Sequence, residues 1–198
     1  HECIRDIRSR RGKEVLLQVR EKNQGARQLY EGLGFRVLST RTDWIGAGRS
    51  GRSGRRPASV RLRKQNEWRQ QAAIARSQYP EGLVWPVPSI DSFYKPAPLA
   101  GILGLDYQRH WVVTEKRRVV GSLSLVSRPD LSRQHLLLTA APGHRGKVEE
   151  LLLAYGLHDI GRSRRKVQLS YPTGTADDVI ERLGFVPRNT LHWMRRAL

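Results

Sequence analysis

The sequence has 198 residues, with 36 basic and 18 acidic side chains, and its formal net charge at pH 7 is +18. Hydrophobic residues make up 38% of the chain, a composition that argues against a largely disordered protein. No apolar stretch is long enough to cross a membrane, and the single cysteine, Cys3, excludes an internal disulfide framework and a multi-cysteine zinc site. With no secretory signal, we expect a cytoplasmic protein of one or two domains, with neither a membrane nor a metal as partner.

The first 45 residues predict a helix, a strand, a second helix and a second strand. The chain begins at His1 as though already inside a helix that ends at Gly12, so we expect either a fragment or a processed form of a longer protein. The run at 15–19 is rich in β-formers. A short amphipathic helix at 26–33 follows, and a strand is predicted at 35–44.

Residues 46–59 consist almost entirely of Gly, Ser and Arg, which is typical of a flexible, self-repelling linker. This linker separates residues 1–45 from residues 60–198, which are numerous enough to form a whole domain. From 46 to 76, nine basic residues accompany one acidic residue. Such a charge attracts polyanions, including nucleic acid, but no nucleic-acid-binding motif accompanies it, so a solvated basic linker is the favoured interpretation.

The second part of the chain alternates strands and helices. Five prolines at 79–105 predict loops and short turns there, and a charged turn at 115–118 predicts a hairpin between strands at 110–114 and 119–126. The remaining elements are expected as strands at 60–63, 135–141, 166–171 and 190–197, and as helices at 67–76, 147–160 and 176–183.

The two ends of the chain repeat each other. Each contains a strand, a helix, a Leu-Gly-Phe sequence and a second strand, and Ala26 and Ala176 each lie nine residues before Phe35 and Phe185, respectively. A repeated unit of this kind implies two related domains. We expect both phenylalanines to be buried, because the preceding glycine permits a turn that folds the ring back onto its helix.

The first copy of the repeat carries Asn23, Ala26, the run Leu-Tyr-Glu at 29–31 and the run Leu-Gly-Phe at 33–35. This pattern resembles the C-terminal motif of the GCN5-related N-acetyltransferases (the GNAT superfamily). The resemblance implies an α/β fold in which helices flank a mixed, mostly antiparallel central sheet. It implies two copies: residues 1–45 as the C-terminal part of a first domain, and residues 60–198, after the linker at 46–59, as a second.

The resemblance also implies a chemistry, the transfer of an acyl group from acetyl-CoA to an amine of a small molecule or peptide. The family holds CoA in a wedge between two splayed parallel strands, so Val19 would line the wedge and Asn23 would hydrogen-bond the cofactor. Tyr30 would protonate the departing thiolate, since a phenol is neutral at pH 7 and can donate once it is positioned. The alternatives are that Tyr30 is a packing aromatic and that Asn23 caps a helix.

The resemblance places the diphosphate of CoA on backbone N–H groups at a helix N-terminus. The corresponding loop of the first copy would lie before His1. In the second copy the candidates are Arg145, Gly146 and Lys147, but Val148 and Glu150 stand where the family has small residues.

Other positions of the second copy also depart from the pattern. Ile180 replaces the tyrosine, and His110, His135 and His144 are lone histidines without a visible partner. We therefore expect catalysis in the first copy and a degenerate second copy. The alternative is a non-catalytic module whose basic surface binds an acidic partner.

Overall fold

The computed structural model describes residues 2–47, 59–79, 82, 89–96, 107–127, 131–161 and 165–198. The elements follow one another along the chain as α1 (Glu2–Ser9), β1 (Glu14–Arg20), α2 (Gln24–Gly32), β2 (Arg36–Gly46), β3 (Val60–Leu62), α3 (Trp68–Gln78), α4 (Ile90–Tyr94), β4 (Tyr107–Glu115), β5 (Arg118–Ser127), β6 (Gln134–Ala140), α5 (Glu149–Ile160), β7 (Val167–Pro172), α6 (Asp177–Arg182) and β8 (Phe185–Ala197).

All eight strands belong to one sheet, in the order β1-β8-β2-β7-β6-β5-β4-β3. Six of the seven neighbouring pairs are antiparallel, and β6 and β7 form the parallel pair. The predicted α/β fold with a mostly antiparallel central sheet flanked by helices is therefore confirmed.

The strands from the two ends of the chain are interleaved. β2 lies between β7 and β8, and β8 lies between β1 and β2. The unit β1-α2-β2 has the same order of elements as the unit β7-α6-β8, and each unit places its last strand beside the first strand of the other. The division into 1–45, 46–59 and 60–198 stays a prediction, and most of its linker, residues 48–58, lies outside the described residues.

The core lies on both faces of the sheet. Because side chains alternate along a strand, Leu136 and Leu138 of β6 face α5 and α6, whereas Leu137 faces α3 and α4. A third, smaller cluster joins Val19 and Phe35 to Met194 of β8. Phe35 and Phe185 are 4% and 3% exposed, so the prediction that both are buried is confirmed.

Three elements differ most from the sequence-based expectation. β8 begins at Phe185 rather than at 190, β4 begins at Tyr107 rather than at 110, and the short helix α4 lies within the proline-containing stretch that predicted loops. Most of that stretch lies outside the described residues. Among the helices of the described residues, none has both the length and the apolar character needed to cross a bilayer.

Candidate functional site

The parallel strands β6 and β7 separate soon after they meet. They pair at Gln134 with Val167, at His135 with Gln168 and at Leu136 with Leu169, and the pairing stops there. The backbone groups of β6 beyond this point, among them the Leu138 carbonyl and the Ala140 N–H, face the gap between the strands. Buried backbone groups of this kind require hydrogen-bond partners.

Two side chains from the end of α3 supply those partners. The Gln78 amide donates from Nε2 to the Leu138 carbonyl at 3.0 Å, and its Oε1 accepts from the Ala140 N–H at 2.9 Å. The Tyr79 hydroxyl lies 2.9 Å from the same Leu138 carbonyl and 3.4 Å from the carbonyl of Ser170 on β7. Both side chains are buried. Gln78 and Tyr79 thus fill the wedge between β6 and β7.

The loop that joins β6 to α5 is built around the carboxylate of Glu149. The Gly146 N–H donates to Glu149 Oε1 at 2.9 Å, and the Val148 N–H donates to Oε2 at 3.1 Å. The Tyr171 hydroxyl of β7 donates to Oε1 at 2.7 Å. Gly146 has a φ of +78°, a left-handed conformation that glycine adopts without strain. Glu149 is fully buried, and its three donors compensate the cost of burying the charge.

The predicted phosphate-binding residues lie in this same loop. Gly146 directs its N–H to Glu149, whereas the Lys147 N–H donates to the His144 carbonyl at 3.1 Å. Arg145 is half-buried, and Lys147 is exposed. Their role toward a cofactor stays a prediction.

The three residues predicted for the first copy share the β1-α2 unit. Val19 is buried on β1. Asn23 precedes α2, and its Oδ1 accepts from the Ala26 N–H at 3.1 Å, so it caps the helix. The Tyr30 ring is half-buried, and its centroid lies 5.7 Å from that of Phe35 in an edge-to-face contact. Capping and packing are therefore observed for Asn23 and Tyr30, and neither contact tests a role toward CoA.

A groove of about 370 Å³ opens beside this unit, at the end of β1. It is lined by Arg20, Glu21 and Lys22 from the N-terminal part of the chain and by residues 187–190 of β8. Three of its side chains, those of Arg20, Lys22 and Arg188, are basic. In the part of the chain that the structure describes, β8 is the one strand that pairs with β1.

Two of the three lone histidines have polar partners that the sequence did not reveal. His144 Nε2 lies 2.6 Å from the Glu115 carboxylate, and His110 Nδ1 lies 2.8 Å from the Ser124 hydroxyl. Burial, reinforced by Arg63, lowers the pKa of His110 to about 3, and burial, reinforced by Arg133, lowers the pKa of His135 to about 4. Both of these imidazoles are therefore neutral at pH 7. The described residues contain no group of three or more His, Cys, Asp or Glu placed to bind a metal.

Sequence reasoning missed one buried cation near the wedge. The Arg41 guanidinium of β2 lies 4.2 Å from the ring centroid of Tyr79 and 4.8 Å from that of Trp193. Burial lowers the Arg41 pKa to about 10. Beside it lies a cavity of about 110 Å³, whose lining includes Asp43 and His135. The alternation of side chains along β2 could have placed Arg41 on one face, but no sequence signal identifies Tyr79 as its neighbour.

Comparison with solved structures identifies the fold. The structure superposes on a GCN5-related N-acetyltransferase from Kribbella flavida with a TM-score of 0.59 and 17% identity, over 98% of this chain and 72% of that one. It superposes on one from Sphaerobacter thermophilus with a TM-score of 0.55 and 16% identity, over 93% of this chain and 60% of that one. The fold is thus that of the GCN5-related N-acetyltransferases.

A third similar structure is a tandem GNAT protein from the clavulanic acid biosynthesis pathway. Its TM-score is 0.60 and its identity 12%, over 99% of this chain and 67% of that one. In a comparison with protein families, residues 1–45 match the model described as FR47-like protein. A comparison with curated protein sequences finds no significant match. The family match therefore covers the segment that carries Asn23 and Tyr30, and the structural similarity covers almost the whole chain.

Proposed function

We propose that this chain is part of an acyl-CoA-dependent N-acyltransferase that transfers an acetyl group from acetyl-CoA to an amine. The observation that carries the proposal is that the family match at 1–45 covers the strand–helix unit bearing Val19, Asn23 and Tyr30. Two further findings support it, the fold and the likeness to N-acetyltransferases over almost the whole chain.

The proposal places catalysis in the first copy, residues 1–45, and treats residues 60–198 as a second copy with a supporting role. The common element order of β1-α2-β2 and β7-α6-β8 supports this tandem arrangement. The structures that resemble this chain include a tandem GNAT protein, which is consistent with it.

The residues around β1 fit an acyl-CoA in chemical character. The groove at the end of β1 has three basic side chains, which suit the phosphates of CoA or an acidic group of the acceptor. In contrast, the loop at 142–148 is less suited to a phosphate, because the buried Glu149 carboxylate already accepts from its Gly146 and Val148 N–H groups.

Acetyl-CoA supplies a thioester whose carbonyl carbon is open to attack by an amine. The strand that carries Val19 lines the binding surface while the Val19 side chain packs in the core. Asn23 offers a side-chain amide at the exposed start of α2. Tyr30 donates its phenolic proton to the sulfur as the carbon–sulfur bond breaks, so that a neutral thiol leaves instead of a thiolate. The acceptor is a small-molecule or peptide amine, and the proton that its nitrogen loses as the amide forms passes through solvent to the Tyr30 phenolate, which restores the phenol.

The test is the substitution Tyr30→Phe in the full-length enzyme, with steady-state kinetics and acetyl-CoA binding measured in parallel. We expect turnover to fall by about 10²–10⁴-fold, the range typical of general-acid assistance, with acetyl-CoA binding nearly unchanged. The matched control is Tyr155→Phe, which removes a phenol from α5 and should leave turnover unaltered. Wild-type turnover in Tyr30→Phe would show that this tyrosine only packs against Phe35.

A further inference from the structure

We propose that residues 60–198 carry a built-in substitute for the cofactor: Gln78 and Tyr79 occupy the wedge between β6 and β7, and Glu149 occupies the anion cradle beside it. The wedge is therefore closed to acyl-CoA by the chain's own side chains. This inference rests on the proposed function insofar as an acyl-CoA is the ligand that such a wedge would otherwise take.

Within the wedge between β6 and β7, the side-chain amide of Gln78 takes the place of an amide of the cofactor. The pantetheine arm of CoA contains secondary amides, each with one N–H and one carbonyl. The Gln78 side chain offers the same pair of groups, and it binds the Leu138 carbonyl and the Ala140 N–H at 3.0 Å and 2.9 Å. These two groups flank Thr139, as the groups bound by a neighbouring parallel strand would. A pantetheine amide would have to displace Gln78 to reach them.

Tyr79 closes the same opening from the side of β7. Its hydroxyl spans the carbonyls of Leu138 and Ser170, one on each strand, and its ring stacks against Arg41. Because Tyr79 is fully buried, moving it would open a cavity and leave the Leu138 carbonyl with fewer partners, both of which are unfavourable.

In the loop before α5, the carboxylate of Glu149 takes the place of a phosphate of the cofactor. A diphosphate at the start of α5 would need the N–H groups of Gly146 and Val148, and both already donate to Glu149. Displacing Glu149 would also deprive it of the Tyr171 hydroxyl and leave a buried charge without donors. If Glu149 stayed in place, its negative charge would repel the diphosphate.

The structure gives a different reason for this closure from the one suggested by the sequence. The sequence placed the obstacle at the side chains of Val148 and Glu150 and gave Glu149 only an added like charge, but Glu150 is exposed, and its carboxylate lies 3.5 Å from Arg182. The obstacle is instead Glu149. Gln78 and Tyr79 at the end of α3 block one half of the groove, and Glu149 of α5 blocks the other, so removing the side chains of one half should open that half only.

The experiment is an NMR titration of the ¹⁵N-labelled 198-residue chain with acetyl-CoA and, separately, with inorganic pyrophosphate. The backbone amides of Ala140, Gly146 and Val148 report the two halves of the groove. We expect no saturable shift of these amides in the wild type at millimolar ligand. In the triple variant Gln78→Ala/Tyr79→Ala/Glu149→Ala, which removes all three blocking side chains, we expect saturable shifts with acetyl-CoA, and with pyrophosphate at Gly146 and Val148 only. The matched control Glu150→Ala should behave as the wild type.

Two results would overturn the proposal: saturable shifts at these amides in the wild type at micromolar acetyl-CoA, or a folded triple variant that does not respond. Hydrogen exchange of the wild type tests it independently of any variant's folding, because the side-chain acceptors should slow exchange at Ala140, Gly146 and Val148 by about tenfold or more. Exchange at the unprotected rate would also refute it. Wild-type turnover in Tyr30→Phe would refute the proposed function without changing the behaviour expected of these amides. The two proposals can therefore be refuted separately.

Discussion

The contact between Gly46 of β2 and Phe185 of β8 allows the packing between these interleaved strands to be measured as a change in the free energy of unfolding. A Cβ atom at Gly46 of β2 would lie 3.0 Å from Cδ1 and Cε1 of the Phe185 ring. Because this distance is shorter than carbon atoms normally tolerate, Gly46→Ala should destabilise the protein by about 1–3 kcal/mol through overpacking. Phe185→Ala should cost about 3–5 kcal/mol, since the ring is 3% exposed and its removal leaves a cavity.

The double variant should lose less stability than the sum of the two single variants. The methyl group at position 46 would enter the space that the ring vacates, so we expect a coupling free energy of about 1–3 kcal/mol. The measurement is equilibrium unfolding in urea at a constant m-value, which shows that the changes reflect stability. The control cycle pairs Gly46→Ala with Val186→Ala, whose side chain is 65% exposed, and it should be additive within about 0.5 kcal/mol. Additivity in the Phe185 cycle as well would refute the packing of β2 on this ring.

Two further predictions concern the titratable side chains His110 and Arg41 in the sheet. Burial holds the folded-state pKa of His110 at about 3, below its unfolded value of about 6.5, so its neutral form stabilises the protein above pH 6.5 and this contribution is lost as the pH falls toward 3. Urea unfolding should show a loss of about 1.4 kcal/mol per pH unit below pH 6.5 from this group, and a smaller loss in His110→Gln; identical pH profiles would contradict the assignment. Arg41→Lys should cost about 1–2 kcal/mol, because an ammonium cannot stack between two rings as a guanidinium does. The exposed Arg36→Lys on the same strand should change the unfolding free energy by less than about 0.5 kcal/mol, and equal effects of the two substitutions would show that the stacking contributes nothing.

Local sequence patterns predicted most helices, strands and turns, because these elements are determined largely by residues that are close together in the sequence. The hairpin around 115–118, the order of strands and helices and the burial of Phe35 and Phe185 all follow from periodicity and turn chemistry. The motif around Tyr30 predicted the fold by resemblance. The beginning of β8 was missed because Pro187 argues against a strand. The sheet tolerates this proline because β1 ends opposite Leu191, so that in the part of the chain that the structure describes β8 pairs only with β2 at position 187.

The contents of the candidate site depend on contacts between distant residues, which periodicity does not encode. Nothing in the α3 sequence indicates that the Gln78 side chain hydrogen-bonds backbone groups of β6, which lies far along the chain. In the sequence, Glu149 is only an acidic residue at the start of a predicted helix, whereas in the fold it is the internal acceptor for that loop. Its role could be recognised only when Tyr171 was seen to donate to the same carboxylate.

The interleaved sheet has a consequence for how the chain folds and how it would respond to cleavage. Almost the whole sequence lies between β1 and its partner β8, so β1 gains its neighbour only after the last strand has been synthesised. Such distant pairings are slow to form, because a long loop must close before they contribute. Once formed, they also link the two ends of the chain. A protease cut between β2 and β3 would leave two fragments still joined along three strand interfaces, those of β1 with β8, β2 with β8 and β2 with β7.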